Sequence, residues 1–249
     1  LADSWKSDFP IISVRDQVRA QAALIRSLGI KKLRCVIGPS LGGMIALEWA
    51  LLEPELTGSL VLIATTAFHC AQAIASSECQ RAAIRLDPHF NDGQYDIDQQ
   101  PKHGLSLARR LAFIGYRCEQ ELAQRFGRQS GEQHSFSILD YLSHQGEKFV
   151  ARFDANSYIR LTQCMNTHDL GRDRGSVETA LQSISQPTLV ISLDSDQLYP
   201  IAEQKLLAKH IPNAEHVVIS SRYGHDGFLI ESEAMSGILT PFLQFRCKG

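Results

Sequence analysis

Ser40 sits in Gly38-Pro39-Ser40-Leu41-Gly42-Gly43, between the apolar run Leu33-Arg34-Cys35-Val36-Ile37 and a stretch from Met44 to Leu52 with apolar residues at helical spacing. A serine at a sharp strand-to-helix turn is placed to act as a nucleophile. Its backbone must be strained there, so small residues are needed two positions before and two after, and Gly38 and Gly42 supply them. The Leu41 N–H, at the helix start, would then face the oxyanion formed when an acyl carbonyl is attacked. A glycine-rich helix entry carrying an ordinary serine accounts for these residues equally well when they stand alone.

The partners such a serine needs come later in the chain. Pro187-Thr188-Leu189-Val190-Ile191-Ser192-Leu193 reads as a buried strand ending in Asp194-Ser195-Asp196, and Glu215-His216-Val217-Val218-Ile219-Ser220 as a second strand followed by Tyr223-Gly224-His225-Asp226-Gly227. The order Ser, Asp, His, with acid and base on loops after two late strands, is that of the α/β-hydrolase triad. His225 would take the Ser40 proton, and a buried carboxylate would fix the imidazole tautomer. By spacing alone either Asp194 or Asp196 reaches that position.

Behind these residues stands one enzyme-sized α/β chain. Its 249 residues are 44% apolar, enough for a large core, and carry a net charge of −2, which argues against nucleic acid as a partner. The sequence shows neither an apolar run of membrane-spanning length nor a signal-peptide pattern. Cysteines 35, 70, 79, 118, 164 and 247 have no C-x-x-C spacing and read as reduced core thiols of a cytoplasmic protein. The nine histidines form no metal-ligand spacing, so no metal is expected. Residues 1–67 and 185–249 read as sheet-and-helix core, including a helix from Arg15 to Leu28, a strand Ser59 to Ala64 and a final helix from about Glu231 to Phe245. Residues 68–184 lack strand signal and read as an inserted helical lid, broken at Asp87-Pro88, Asn91-Asp92-Gly93, Gln100-Pro101 and Ser130-Gly131.

Several segments together resemble the homoserine O-acetyltransferase family. They include Gly42-Gly43-Met44 with Leu47-Glu48-Trp49-Ala50, Gln80-Arg81-Ala82-Ala83-Ile84, Ala108-Arg109, Tyr116-Arg117, Arg125-Phe126-Gly127-Arg128, Arg152 to Tyr158, Ser195-Asp196 with Leu198-Tyr199-Pro200, and Gly224 to Ile230. The likeness runs over almost the whole chain. It implies acyl transfer from acetyl-CoA to the hydroxyl of L-homoserine in methionine biosynthesis, through an acyl-Ser40 intermediate, with Asp196 rather than Asp194 completing the triad with His225. It further implies that Arg109 and Asp226 bind the homoserine carboxylate and amine, that Tyr116 lines the same pocket, and that the lid forms a homodimer. No cofactor beyond acetyl-CoA as co-substrate is implied. From the residues themselves, Arg109 also reads as a solvated helix residue beside Arg110, Tyr116 as a lid-core aromatic, and Asp154 and Asn156 as local hydrogen-bonding groups at a helix entry.

Two features depart from the family pattern. Pro39 stands where glycine is usual and removes an N–H just before the nucleophile. Only 39 residues precede Ser40, whereas the resemblance implies several strands before it. The reading is therefore an α/β-hydrolase fold with its amino-terminal strands missing, an exposed edge on the nucleophile strand and half of an oxyanion hole. A homoserine O-succinyltransferase, a serine esterase of the same fold, and an inactive fragment retaining a dimerisation lid stand as alternatives.

Overall fold

The computed structural model describes residues 5–245. In chain order the elements are α1 (Val14–Ser27), β1 (Val36–Pro39), α2 (Leu41–Leu52), β2 (Leu60–Ile63), α3 (Ala71–Arg85), α4 (Lys102–Tyr116), α5 (Glu119–Arg125), α6 (Ser137–Val150), α7 (Ala155–Asn166), α8 (Val177–Gln182), β3 (Thr188–Leu193), α9 (Ile201–His210), β4 (Ala214–Ile219), α10 (Gly227–Ile230) and α11 (Ser232–Phe245), with short 3-10 turns between some of them. They sort into two compact units. One takes residues up to 12 with 70–166, and the other takes 13–69 with 167 onward.

In the second unit the four strands form one parallel sheet in the order β1-β2-β3-β4. The inner strands β2 and β3, buried along their whole length, read as near-continuous apolar runs because both faces are covered, whereas β1 and β4 at the edges carry exposed residues. Leu60, Leu62 and Val190 point to one face, against Leu47 and Ala50 of α2, Leu181 of α8 and Leu207 of α9; Val61, Ile63, Leu189 and Ile191 point to the other, against Met235 and Phe242 of α11. The expected strand at Leu33 to Ile37 starts later, at Val36, since Leu33 makes only an isolated bridge to Thr57. No strand precedes β1 among the described residues, and Ile37 at this end of the sheet is exposed.

Helix α1 begins at a capping box in which the Ser13 hydroxyl accepts from the Asp16 N–H and the Asp16 carboxylate accepts from the Ser13 N–H. It packs Val18 and Ala22 against Trp49 of α2. Between α1 and α2 lies a buried ion cluster. Glu48, 1% exposed, accepts from Arg15 Nε at 3.0 Å and from Arg174 Nη2 at 2.6 Å. Burial alone would raise this carboxyl, but the hydrogen bonds and charges of Arg174 and then Arg15 outweigh it and hold it below the usual carboxylate range.

The helical unit is built on α3, α4, α6 and α7, around Ile84, Leu105, Ala108, Phe149, Tyr158 and Ile159. Gly104 lets α4 meet α3 closely, since a Cβ there would lie 2.6 Å from the Ala83 carbonyl oxygen. Asp154 starts α7 as the sequence suggested: it accepts from the Ser157 N–H at 2.7 Å and from the Tyr95 hydroxyl at 2.6 Å. Residues 5–12 belong here because Arg160 donates to the Ser7 carbonyl and Lys6 pairs with Asp96.

The unit boundaries fall at 69/70 and 166/167, inside the 68–184 stretch read as lid. The reason is packing: Leu170, Ala180, Leu181 and Ile184 enter the core beneath the sheet. The described cysteines are free thiols; Cys118 and Cys164 are buried, Cys35 and Cys70 partly so, but Cys79 is exposed on α3 and is not the core thiol expected of it. Cys247 lies outside the described residues.

The segments just before and just after the helical insertion pair with each other within the sheet unit. Phe68 bridges Asp169, the His69 N–H donates to the His168 carbonyl at 2.9 Å, and the His168 Nε2–H donates to the Thr66 carbonyl at 3.1 Å. Burial pushes the His168 imidazole down to about 4, outweighing its hydrogen bond to Thr66 and the attraction of Glu48 and Asp169. The unfolded chain therefore takes up this proton first as pH falls, and stability drops between the unfolded value, 6.5, and about 4. Denaturant titrations of the native chain from pH 7 to 4.5 should show stability falling with pH by up to about 1 kcal/mol per unit more than in His168→Asn. Equal slopes for the two proteins would contradict this assignment.

Candidate active site

Ser40 joins β1 to α2 with φ 54° and ψ −122°, a conformation that L side chains rarely adopt. Its neighbours hold it there. The Ser40 N–H donates to the Ile63 carbonyl at 2.9 Å, and its carbonyl accepts from the N–H of Gly43 at 2.9 Å, the N–H of Met44 at 3.3 Å and the hydroxyl of Thr65 at 2.7 Å. Leu41 is the first residue of α2, so its N–H is among those a helix leaves without an intrahelical acceptor.

The glycines are not equally necessary. A Cβ on Gly38 would lie 2.0 Å from the Gly42 carbonyl oxygen, so Gly38 is required, as the sequence indicates. At Gly42 the nearest atom is Pro39 Cδ at 3.3 Å, whereas on Gly43 a Cβ would fall 2.5 Å from Thr65 Cβ and Cγ2. The second tight position is therefore Gly43 rather than Gly42, because the turn packs against the residue after β2. Pro39 fits for a simple reason. Val36 and Ser40 donate toward β2, so by alternation the residue 39 nitrogen faces the unpaired side of β1 and no ladder bond is lost.

The structure separates the two candidate acids. Asp194 is exposed and accepts from the Ser221 N–H at 2.9 Å. Asp196 is buried; its Oδ1 accepts from the N–H groups of Leu198 at 2.9 Å and Tyr199 at 3.0 Å, and its Oδ2 lies 2.7 Å from His225 Nδ1. With Asp196 ionised, Nδ1 donates and the base lone pair falls on Nε2. His225 is 4% exposed, in a 3-10 turn entered through Gly224 at φ 64°, and its ring makes edge contacts with Tyr199 and Phe228, both 5.4 Å between centroids. Ser195 braces the turn by accepting from the Gly224 N–H at 3.0 Å.

Ser40, Leu41, Asp196, His225 and Asp226 all belong to the sheet unit, the last half-buried directly after the base. Arg109 and Tyr116 belong to the helical unit. There the Arg109 guanidinium lies 4.8 Å from the Phe149 ring centroid, 5.3 Å from Tyr116 and 5.7 Å from Phe113. Arg109 forms no ion pair with any described residue. Three aromatic rings thus surround this cation and stabilise it through their faces. Among the described residues no group of His, Cys, Asp and Glu could hold a metal, and no helix is long and apolar enough to cross a membrane.

Sequence reasoning missed Thr65 and Gln204 and named Tyr199 only within a family-like segment, with no role; all three are buried and join the elbow to the acid loop. The signal available for Thr65 was its place directly after a strand parallel to the nucleophile strand.

Parallel strands whose carboxyl ends carry a strained serine and a buried Asp–His pair define an α/β-hydrolase, and a family model described as alpha/beta hydrolase fold matches residues 2–232. Homoserine O-acetyltransferase of Trichormus variabilis is 51% identical over 96% of this chain and 67% of its own, and that of Chlorobaculum tepidum 47% identical over 94% and 66%. The chain belongs to the homoserine O-acetyltransferase family. It spans about two thirds of the length of these curated relatives. Among solved structures, a homoserine O-acetyltransferase from Bacillus anthracis matches with a TM-score of 0.92 at 27% identity, covering 99% of this chain and 69% of that one. Esterase E22 matches with a TM-score of 0.89 at 26% identity, over 97% and 69%.

The glycine geometry gives a direct check. Gly43→Ala should destabilise the chain by about 1–3 kcal/mol in denaturant unfolding, from overpacking against Thr65, with a clearly smaller loss for Gly42→Ala. The reverse ranking would show that the elbow does not rest on Thr65.

Proposed function

We propose that this chain transfers an acetyl group from acetyl-CoA to the hydroxyl of L-homoserine through acetyl-Ser40. The observation that carries the reading is the buried Asp196–His225 pair in the same unit as a serine held at φ 54°. Identities of 44–51% to curated homoserine O-acetyltransferases support the choice of reaction.

In the first half-reaction His225 Nε2 takes the Ser40 proton while Oγ attacks the thioester carbonyl. The Leu41 N–H stabilises the tetrahedral oxyanion, and the C–S bond breaks as the proton passes to the departing thiolate of CoA. In the second, His225 removes the homoserine hydroxyl proton, and the alkoxide attacks acetyl-Ser40 and expels the serine oxygen, which regains the proton. Asp196 keeps the imidazole in the tautomer both steps need and stabilises the imidazolium.

Transfer has to outrun hydrolysis, since water is present at about 55 M and only positioning of the acceptor competes with it. Arg109 is assigned to the homoserine carboxylate and Asp226 to its ammonium, with Tyr116 beside Arg109; the helical unit is assigned the role of lid. A free-standing guanidinium among aromatic rings supports the first assignment, and a plain esterase has no need of one. Esterase action is the second reading, favoured by the high TM-score to esterase E22. The succinyl donor stays an outcome of the test. A cytoplasmic homodimer is proposed on the family resemblance. Leu107, Leu111 and Ile114, exposed at helical spacing on α4, support the dimer.

Incubation with acetyl-CoA or succinyl-CoA should give one acyl adduct by intact mass, on native chain and not on Ser40→Ala, which L-homoserine clears faster than buffer does. Arg109→Met should acquire the adduct normally and lose most of the acceleration by homoserine. An adduct that homoserine leaves untouched would favour the esterase reading, and no adduct from either thioester would defeat the transferase reading.

A further inference from the structure

Each of the four parallel strands ends in a residue tied to the site, and the one after β2 has no role in the reaction as derived. β1 leads to Ser40, β3 to Asp196 and β4 to His225; β2 leads to Ala64 and Thr65. Ala64 has φ 46°, a backbone state uncommon outside glycine, although its N–H holds the ladder by donating to the Ile191 carbonyl at 2.9 Å. Strain of this kind persists where surrounding structure demands it. Here it turns the chain so that the fully buried Thr65 places its hydroxyl 2.7 Å from the Ser40 carbonyl and its methyl against Gly43.

The other side of Thr65 is held as firmly. Gln204, fully buried on α9, donates from Nε2 to the Thr65 carbonyl at 2.7 Å and to the Tyr199 carbonyl at 3.1 Å. Two carbonyl acceptors fix which amide atom is nitrogen. The amide oxygen is left buried without a hydrogen-bond partner, so the side chain is committed to those two carbonyls. Tyr199 in turn donates its N–H to the Asp196 carboxylate and packs its ring on His225.

We infer that Thr65 and Gln204 are positioning residues: a buried strut, Ser40 carbonyl to Thr65 to Gln204 to Tyr199, that sets the nucleophile against the Asp196–His225 pair. The inference rests on the reading of Ser40 as nucleophile. Neither residue touches the reacting atoms. Among the described residues the Thr65 hydroxyl is the only side-chain donor to the Ser40 carbonyl, and removing it leaves that carbonyl to the Gly43 and Met44 N–H groups and frees the turn to relax. Misplacement of about 1 Å costs reactions of this type roughly 100-fold.

The test measures phosphonylation of Ser40 by a fluorophosphonate, in which the Ser40 Oγ–P bond forms, the P–F bond breaks, fluoride leaves and the serine proton passes to His225. Rates are followed by intact mass on the full chain, with thermal melting as a measure of folding. Thr65→Val, which keeps shape and loses the hydroxyl, should react roughly 10- to 100-fold more slowly while still folded, and Thr65→Ser should recover most of the rate. A purely structural role would lower the melting temperature and leave the rate of the folded chain unchanged, and that result overturns the strut. Should Thr65→Val not fold, Thr65→Ala is read by the same two criteria. A folded native chain that is not labelled at Ser40 overturns the nucleophile reading and the strut with it, and is told apart because the native protein itself fails.

Discussion

The parallel direction of the four strands is the constraint from which the site follows. Parallel neighbours in register bring all carboxyl ends to one edge, and that edge is where loops gather without interrupting a ladder. Ser40 follows Pro39, Thr65 follows Ala64 at the end of β2, Asp196 lies three residues past Leu193, and His225 lies six past Ile219. The covered faces of the sheet make the ends rigid. Apolar contacts on both sides leave β2 and β3 little freedom to slide, and the ladders fix β1 and β4 against them, so short loops carry the geometry outward with small error.

Strain and buried polar groups sit where this scaffold can bear them. The positive φ values of Ser40 and Ala64 fall at the ends of neighbouring strands and are joined by the Thr65 hydroxyl, so the two distortions support each other. Farther back, Glu48 with Arg15 and Arg174 ties α1 and α2 to the segment after the helical insertion. Removing any one member of such a cluster would leave an uncompensated buried charge, so the three side chains hold these segments together. His168, neutral and buried, does the same for the segments on either side of that insertion.

Much of this was legible in the sequence, and the failures have physical reasons. The apolar runs at 59–64 and 187–193 became strands almost to the residue, because burial on both faces leaves a continuous signal, and the run at 215–220 became β4, an edge strand of which only Ile219 is buried. Ser40 and His225 were readable from their glycine flanks. The choice of Asp196 over Asp194 was not readable from spacing, since it depends on which carboxylate turns inward toward the histidine. Gly42 was named where Gly43 matters more, because the neighbour that excludes a side chain, Thr65, is distant in sequence. The end of the helical insertion was placed near 184 rather than 166 because α8 looks like any other short helix until its packing is known. Cys79 follows the same rule: a thiol on a helix gives no indication of which face it occupies.

On this reading Ser40, His225 and Asp196 act as one acylation centre. The most direct test is the rate of acyl-Ser40 formation from acetyl-CoA in Asp196→Asn, measured by rapid quench beside the native chain. An asparagine keeps the shape of the loop but no longer holds the His225 tautomer or its charge, so the rate should fall by roughly 10³–10⁴-fold with folding intact. A rate within a few-fold of native would mean that the 2.7 Å contact between Asp196 and His225 serves the fold alone.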